Sequence, residues 1–263
     1  MIAANETVAS HLFYQELPSI YRVHGKPKEE KLEEFLGFVS HMGYQITGKN
    51  KLTYSTEIQK ILKQLKEQCD ENEYLIVSDL LLRSMKKAKY SNENEGHFGL
   101  GSKCYSHFTS PIRRYPDTIL HRLLKVYLFN GDISENTQKK WNSKLIEISD
   151  STSNSEVKAV ECEREVESMK MAEYMESHIG EQYKGVISGI TNFGLFIKLD
   201  NLIEGLVHIS ELNDDHYNYN KNILAMVGER TNKTYKIGDK VEIEVIKASK
   251  ETKNIDFKLV KRG

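Results

Sequence analysis

The chain has 263 residues, 39% apolar and 29% charged, with a formal net charge of −1. That length accommodates one large or two ordinary domains, and the composition supports a buried core and excludes general disorder. The charge excludes a uniformly basic coat for nucleic acid, and three scattered cysteines (Cys69, Cys104, Cys162) form neither a disulfide framework nor a CxxC zinc site, which makes a reducing cytoplasm the expected compartment. Met1 to Phe13 reads as a helix without a turn signal before it, an abrupt start that suggests an upstream part. Pro18 and Pro27 bracket a strand-like IYRVHG. Lys28 to Met42 is predicted helical, because Leu32, Phe35, Leu36 and Val39 recur at i, i+3, i+4 and i+7, with Gly43 as its stop. Thr56 to Gln68 repeats the pattern with Ile58, Ile61, Leu62 and Leu65, and Glu73 to Lys89 gives a third helix. SNENEGHFGLGSKCYSH reads as a loop. Ser110 is a favoured N-cap and Pro111 suits a first helical turn, so a helix is predicted to open there, with Pro116 early enough to be tolerated. Tyr115, Ile119, Leu123 and Tyr127 follow at steps of four. Ser134 to about His178 predicts one long or once-broken helix, with Ser151 to Ser155 as the break favoured by propensity.

Near Gly180 the texture changes from helix-like to strand-like. Net charge is −2 over residues 1–179 and +1 over 180–263, so any nucleic-acid binding must use local patches. TNFGLFIKLD puts Leu195, Ile197 and Leu199 on one face and Gly194, Phe196 and Lys198 on the other. With Tyr183–Ile190, Glu204–Ile209, Lys240–Ala248 and Asn254–Val260, this makes the five strands of an OB-type barrel. The connection from Ser210 to Gly238 is long enough to hold a short helix or an ordered loop. The expected class is α+β: a mainly helical part followed by a five-stranded barrel.

PIRRYPDTILHR is the most pointed stretch. On the predicted helix Arg113, Asp117 and His121 share a stripe, with Arg114 and Arg122 beside it. Arginine forks and a helix N-terminus together suit phosphate. The alternative is an Arg–Asp–His network that only braces the helix. On the barrel, Phe196 and His208 fall on the polar face, Lys198 lies beside Phe196, and Phe193 stands at the strand start. Exposed aromatics beside lysine suit base stacking. Equally, both phenylalanines could complete a core at the barrel mouth. Tyr217 and Tyr219 read as packing their loop down.

Other groups are weaker. His97, His107 and His121 lack metal-ligand spacing, Asp214-Asp215 reads as solvated, and ECEREVE reads as a solvated helix face. No G-x-S-x-G elbow or phosphate loop occurs, and no three or four carboxylates gather as a magnesium site would require. No apolar run approaches the ~18–20 residues of a membrane span, and MIAANETVAS lacks the order of a secretory signal.

Several of these stretches, in this order, resemble the ribonuclease R family of bacterial processive 3′-to-5′ exoribonucleases, within the ribonuclease II group. They are MIAANETVASH, IYRVHGKP, LLRSMKKAKY, GHFGLGSKCYSHFTSPIRRYPDTILHR and GEQYKGVISGITNFGLFIKLDNLIEGLVHIS. The resemblance runs from end to end of the chain, and HFTSPIRRYPD is its most specific part.

The resemblance implies that residues 1–179 are the C-terminal part of a ribonuclease II-type catalytic domain and residues 180–263 an S-one RNA-binding domain with an OB fold. It implies single-stranded RNA as partner and magnesium as cofactor of the intact family enzyme. The aspartates that hold that magnesium belong to an upstream region with no match here, so this chain is expected to offer no metal ligands and to be inactive alone, unless a separate upstream polypeptide supplies them. By the same resemblance Arg113 steadies the RNA phosphate at the cleavage point, Arg114 is a basic neighbour, and Phe193, Phe196 and His208 face RNA, with Lys198 beside them. A non-catalytic RNA-binding module working through the barrel is the rival reading. No membrane partner is expected, and a monomer is the default.

Overall fold

The computed structural model describes residues 1–41, 55–68, 71–221 and 223–260. The chain divides into two compact units, one of residues 1–32, 47–63 and 83–160, the other of 33–46, 64–82 and 161–263.

The first unit begins with helix α1 (Ile2–Tyr14), which buries Asn5, Ala9 and Leu12 along one face. Strand β1 (Tyr21–Val23) pairs antiparallel with β2 (Lys89–Ser91), placing Arg22 opposite Tyr90. Between them in sequence come α2 (Glu29–His41), α3 (Ser55–Gln68) and α4 (Glu71–Ser84). Helix α2 buries Leu32, Phe35, Phe38 and Val39, and α3 buries Ile58, Ile61 and Leu65, as their periodicity requires. The predicted stop at Gly43 lies outside the described residues. The third helix is shorter than expected. It ends at Ser84, and Lys89 instead opens β2, whose backbone groups find partners in β1 rather than in another helical turn.

The helix predicted to open at Ser110 starts later. Residues 110–114 form a turn in which the Arg113 and Arg114 N–H groups both reach the Ser110 carbonyl. Arg114 is extended, and α5 runs Tyr115–Leu124. A helix begun at Pro111 would bury Pro116 in its interior, where the ring clashes with a carbonyl one turn back. Starting at Tyr115 places Pro116 in the first turn, where its missing N–H costs nothing. Consequently Tyr115 is half exposed, while Ile119, Leu123 and Tyr127 are buried.

Helix α6 (Glu135–Glu176) is one unbroken helix of 42 residues. Of the two readings left open, one long helix holds, and the break that propensity favours at Ser151–Ser155 does not occur. The Ser153 and Ser155 hydroxyls donate to carbonyls four residues back, and Ser153 Oγ also accepts the Tyr90 N–H at 2.9 Å. Polar side chains that would compete with the helix are therefore satisfied inside it. Leu12, Ile20, Ile119, Leu120, Leu123 and Leu145 form the apolar centre of this unit, with Trp141 against it.

The second unit holds the barrel. Strands β3 (Gln182–Thr191), β4 (Gly194–Leu199), β5 (Glu204–His208), β9 (Lys240–Ser249) and β10 (Asn254–Leu259) close in the order β10-β5-β4-β3-β9. Only β10 and β5 pair parallel. Leu195, Ile197, Val207, Ile243, Val245 and Phe257 point inward and are sealed from solvent, and Ala172 and Met175 of α6 join this core. Gly205 is required by a close approach, since a Cβ there would stand 2.5 Å from the Phe257 ring.

The connection from Ser210 to Gly238 is neither helix nor loop. After a single 3₁₀ turn it forms an antiparallel sheet of β6 (Tyr217–Asn220), β7 (Ala225–Gly228) and β8 (Thr234–Lys236). The expected solvation holds for Asp214, which is exposed, and is corrected for Asp215. The Asp215 carboxylate is fully shielded and accepts from Thr231 Oγ1 and N and from the His216 and Arg230 N–H groups, while Asp214 pairs with Lys233 at 2.8 Å. Turn-forming N–H groups need acceptors, and these carboxylates supply them. Tyr217 is buried, with its hydroxyl on Asp214. No helix among the described residues is long and apolar enough to cross a membrane.

Candidate functional site

The turn before α5 presents the two arginines differently. Arg113 is exposed, and its side chain has no hydrogen bond or ion pair among the described residues. Arg114 is largely covered, and its guanidinium donates to Asp117 Oδ1 at 2.8 Å. The same oxygen accepts the Ser110 N–H at 2.7 Å, and Asp117 is fully buried. The shared stripe of Arg113, Asp117 and His121 is therefore corrected: Arg113 precedes the helix, Asp117 points inward, and the exposed His121 stacks on Phe108 with ring centroids 4.3 Å apart. Bracing describes Arg114. It does not describe Arg113, which is left free to meet an anion.

Buried polar side chains set the segment that leads into this turn. Asn5 of α1 donates to the Tyr105 hydroxyl at 2.9 Å and accepts the Phe108 N–H at 3.1 Å. Ser106 Oγ donates to the Ile20 carbonyl at 2.5 Å. A run of rings lies alongside, His24–His97–Tyr105–His107–Tyr90, with neighbouring centroids 5.1 to 5.7 Å apart. Arg22 sits over the Tyr90 ring at 4.6 Å and grips Glu156 of α6 through two hydrogen bonds of 2.5 and 3.0 Å. Burial holds His97 down to about 4, with His24 and Arg22 adding to the effect. Burial does the same to His107, also to about 4, helped by Arg114 and Arg22. Both imidazoles are neutral at ordinary pH.

On the barrel, Phe193 is 44% exposed, and its ring meets Phe196 edge to face at 5.8 Å. Phe196 is half buried over Gly189, and His208 is exposed opposite Gly194. Lys198 is exposed opposite Glu204. Both phenylalanines and His208 thus stand outside the barrel core, which is filled by other side chains.

Magnesium needs several hard oxygen ligands at one point. Among the described residues no group of three or more His, Cys, Asp or Glu is placed to hold a metal ion. The described residues gather no such set for the ion that the resemblance implies.

Residues 1–130 match the family model described as RNB domain, and residues 176–259 match the one described as S1 RNA binding domain. Ribonuclease R 1 of Lactococcus lactis is 48% identical over 257 residues, 98% of this chain and 31% of that protein. The chain belongs to the ribonuclease R family. Ribonuclease R of Aquifex aeolicus is 41% identical, across 100% of this chain and 36% of its own length. The solved Mycoplasma genitalium RNase R in complex with ribose methylated single-stranded RNA superposes with a TM-score of 0.90 at 35% identity, covering 99% of this chain and 40% of that one. The chain spans about a third of the length of the curated relatives it matches.

Sequence reasoning missed Asn5, Arg22, Tyr90 and Tyr105, and weighed His97 and His107 only as metal ligands. These groups are joined across up to 134 residues of chain, so no period or short spacing connects them. The available signal was the density of His, Tyr and Arg in IYRVHG and GHFGLGSKCYSHFTSPIRRY, polar residues that lack a helical or strand pattern and still have to be placed.

Proposed function

We propose that residues 1–179 are the C-terminal part of a ribonuclease II-type catalytic domain and residues 180–263 an S-one RNA-binding domain, together forming part of a 3′-to-5′ exoribonuclease. The enzyme hydrolyses single-stranded RNA processively to nucleoside 5′-monophosphates. The observation that carries this reading is similarity to ribonuclease R along essentially the whole chain, including the relative solved with bound RNA.

Arg113 steadies the 3′-terminal phosphodiester and offsets charge that develops on it. Its freedom from any internal partner supports that role, because an arginine already tied to a carboxylate has less of its fork to offer. Arg114 contributes positive charge from behind Asp117. Phe193, Phe196, Lys198 and His208 hold the strand on the barrel, with stacking worth about 1–3 kcal/mol per base. This chain alone binds RNA without cutting it, and the carboxylates that hydrolysis needs come from upstream sequence, of which a separate polypeptide is one source. A cytoplasmic monomer is the proposed state.

The test incubates the purified chain with magnesium and a 3′-tailed single strand, reading released mononucleotide and retained complex, beside an Arg113→Ala control. Binding without release is expected. Release that disappears in Arg113→Ala would show that the chain assembles a metal site of its own. The barrel-only module is favoured instead if Phe196→Ala and His208→Ala lose binding while Arg113→Ala keeps it.

A further inference from the structure

His107 has a hydrogen-bond arrangement that its packing does not need. The Tyr90 phenol is buried and requires an acceptor for its proton, and His107 Nδ1 lies 2.8 Å away. Nδ1 therefore accepts, and the ring proton of the neutral imidazole sits on Nε2. Nε2 has no partner among the described residues and stays open to solvent. Tyr90 and Tyr105 pack their ring edges against the imidazole, contacts that a phenyl ring could make equally well. Only an imidazole held in this tautomer offers an N–H at its far edge, with the charges of Arg114 and Arg22 near the ring.

We propose that His107 Nε2–H donates to a backbone phosphate of bound RNA, as an RNA-contacting residue additional to Arg113, with Arg114 and Arg22 near the ring. The proposal rests on the reading that this chain binds RNA. The chemistry it recognises is a phosphodiester oxygen. A base edge would present donors as well as acceptors, whereas the group offered here is a donor, the imidazole N–H, with the charges of Arg114 and Arg22 nearby, each already paired with a carboxylate.

A proton couples to that contact. The groups facing His107 are Arg114 and Asp117 from the turn and start of α5, Arg22 of β1 with Glu156 of α6 behind it, Tyr90 of β2, and His97 and Tyr105 of the ring run. In the free chain, burial and the two arginines keep the ring neutral. A phosphate at Nε2 adds negative charge and favours the imidazolium. Once the ring is charged, Nδ1–H donates to the Tyr90 oxygen and the phenol proton loses its acceptor, which offsets part of the gain from the phosphate. RNA binding thus takes up a proton here, and affinity rises with acidity.

The experiment measures binding of a labelled 3′-tailed single strand to the full chain, without magnesium, at about pH 7.5 and about pH 5.5, two values that span the ordinary imidazole range. The native chain is expected to tighten about fivefold more on acidification than His107→Gln, which keeps an N–H but cannot titrate. In native chain alone, the proton NMR titration midpoint of His107 is expected to rise by about two units when RNA is added. That second reading decides the matter if His107→Gln proves poorly folded by the fluorescence of Trp141. Identical acid responses in a folded His107→Gln, or a midpoint that RNA leaves in place, overturn the assignment while the RNA-binding reading stands. A native chain that binds no RNA takes down both.

Discussion

The two units keep their interiors by opposite means. The barrel closes on aliphatic and aromatic side chains that alternate inward along five strands. The first unit has an apolar centre too, but the segment leading into α5 is held from inside by polar groups: Asn5 on Tyr105 and Phe108, Ser106 on the Ile20 carbonyl, Asp117 on Ser110 and Arg114. Apolar packing tolerates small shifts, whereas a buried hydrogen bond specifies direction and is costly to lose. On the proposed reading, a unit that presents Arg113 and the His107 edge in one orientation gains from the second device, and a barrel that stacks bases needs only the first.

Acid is expected to separate the units most, because two imidazoles of the first unit titrate together. His97 and His107 are held to about 4, chiefly by burial, against about 6.5 in an unfolded chain. Between these values the unfolded chain binds more protons than the folded one, so the stabilisation is complete above about pH 6.5 and is lost as pH falls toward 4. In the second unit, Asp215 is held below the usual carboxylate range by Thr231, and Asp214 by Lys233. Their contribution persists down to the ordinary carboxylate range and is lost only below it. Thermal melts followed by Trp141, in the first unit, should therefore weaken across pH 6.5 to 4.5, an interval set by the ordinary imidazole and carboxylate values, while amide exchange in β4 and β9 stays unchanged. Equal sensitivity of both probes would remove the contrast.

Asp117→Ala comes next in size. It leaves the covered Arg114 charge and the Ser110 N–H without their shared acceptor, which is expected to cost about 3–5 kcal/mol in the Trp141-reported transition. The barrel counterpart is Gly205→Ala, at about 1–3 kcal/mol, since the added carbon must displace the sealed Phe257 ring. Gly189→Ala sharpens this. Its carbon would meet the Phe196 ring at an ordinary 3.6 Å, and a change within about 0.5 kcal/mol is expected by denaturant titration.

The same contrast decides what could be read from the sequence. Leu195, Ile197 and Leu199 announce a barrel strand because burial alternates with the pleat, and the α2 stripe announces a helix for the analogous reason. The start of α5 could not be read that way. Ser110 and Pro111 carry a helix-start signature, but Pro116 decides the outcome, together with a carboxylate seven residues on that ties the turn down. The sheet in the long connection was hidden because Asp214 and Asp215, which look solvated in sequence, are spent on backbone N–H groups and Lys233. Arg113 was visible as a candidate by its residue type. The environment of His107 was not visible, because its partners arrive from β2, from the ring run and from the arginines of β1 and the α5 turn.

The smallest effect tests why α6 does not break. Ser153 and Ser155 make the same back-bond to a carbonyl four residues earlier, so propensity treats them alike. They differ in one respect: Ser153 Oγ also accepts the Tyr90 N–H, and Ser155 accepts nothing from outside its helix. Replacing either with alanine gains a few tenths of a kcal/mol in helix propensity, about 0.5. In Ser153→Ala that gain is outweighed by a β2 donor left unpaired, for a net loss of about 1 kcal/mol. In Ser155→Ala the gain stands alone, and the melting transition is expected to stay level or rise slightly. Two equal outcomes would mean that helix length alone, rather than the contact with β2, carries α6 through its serine-rich stretch.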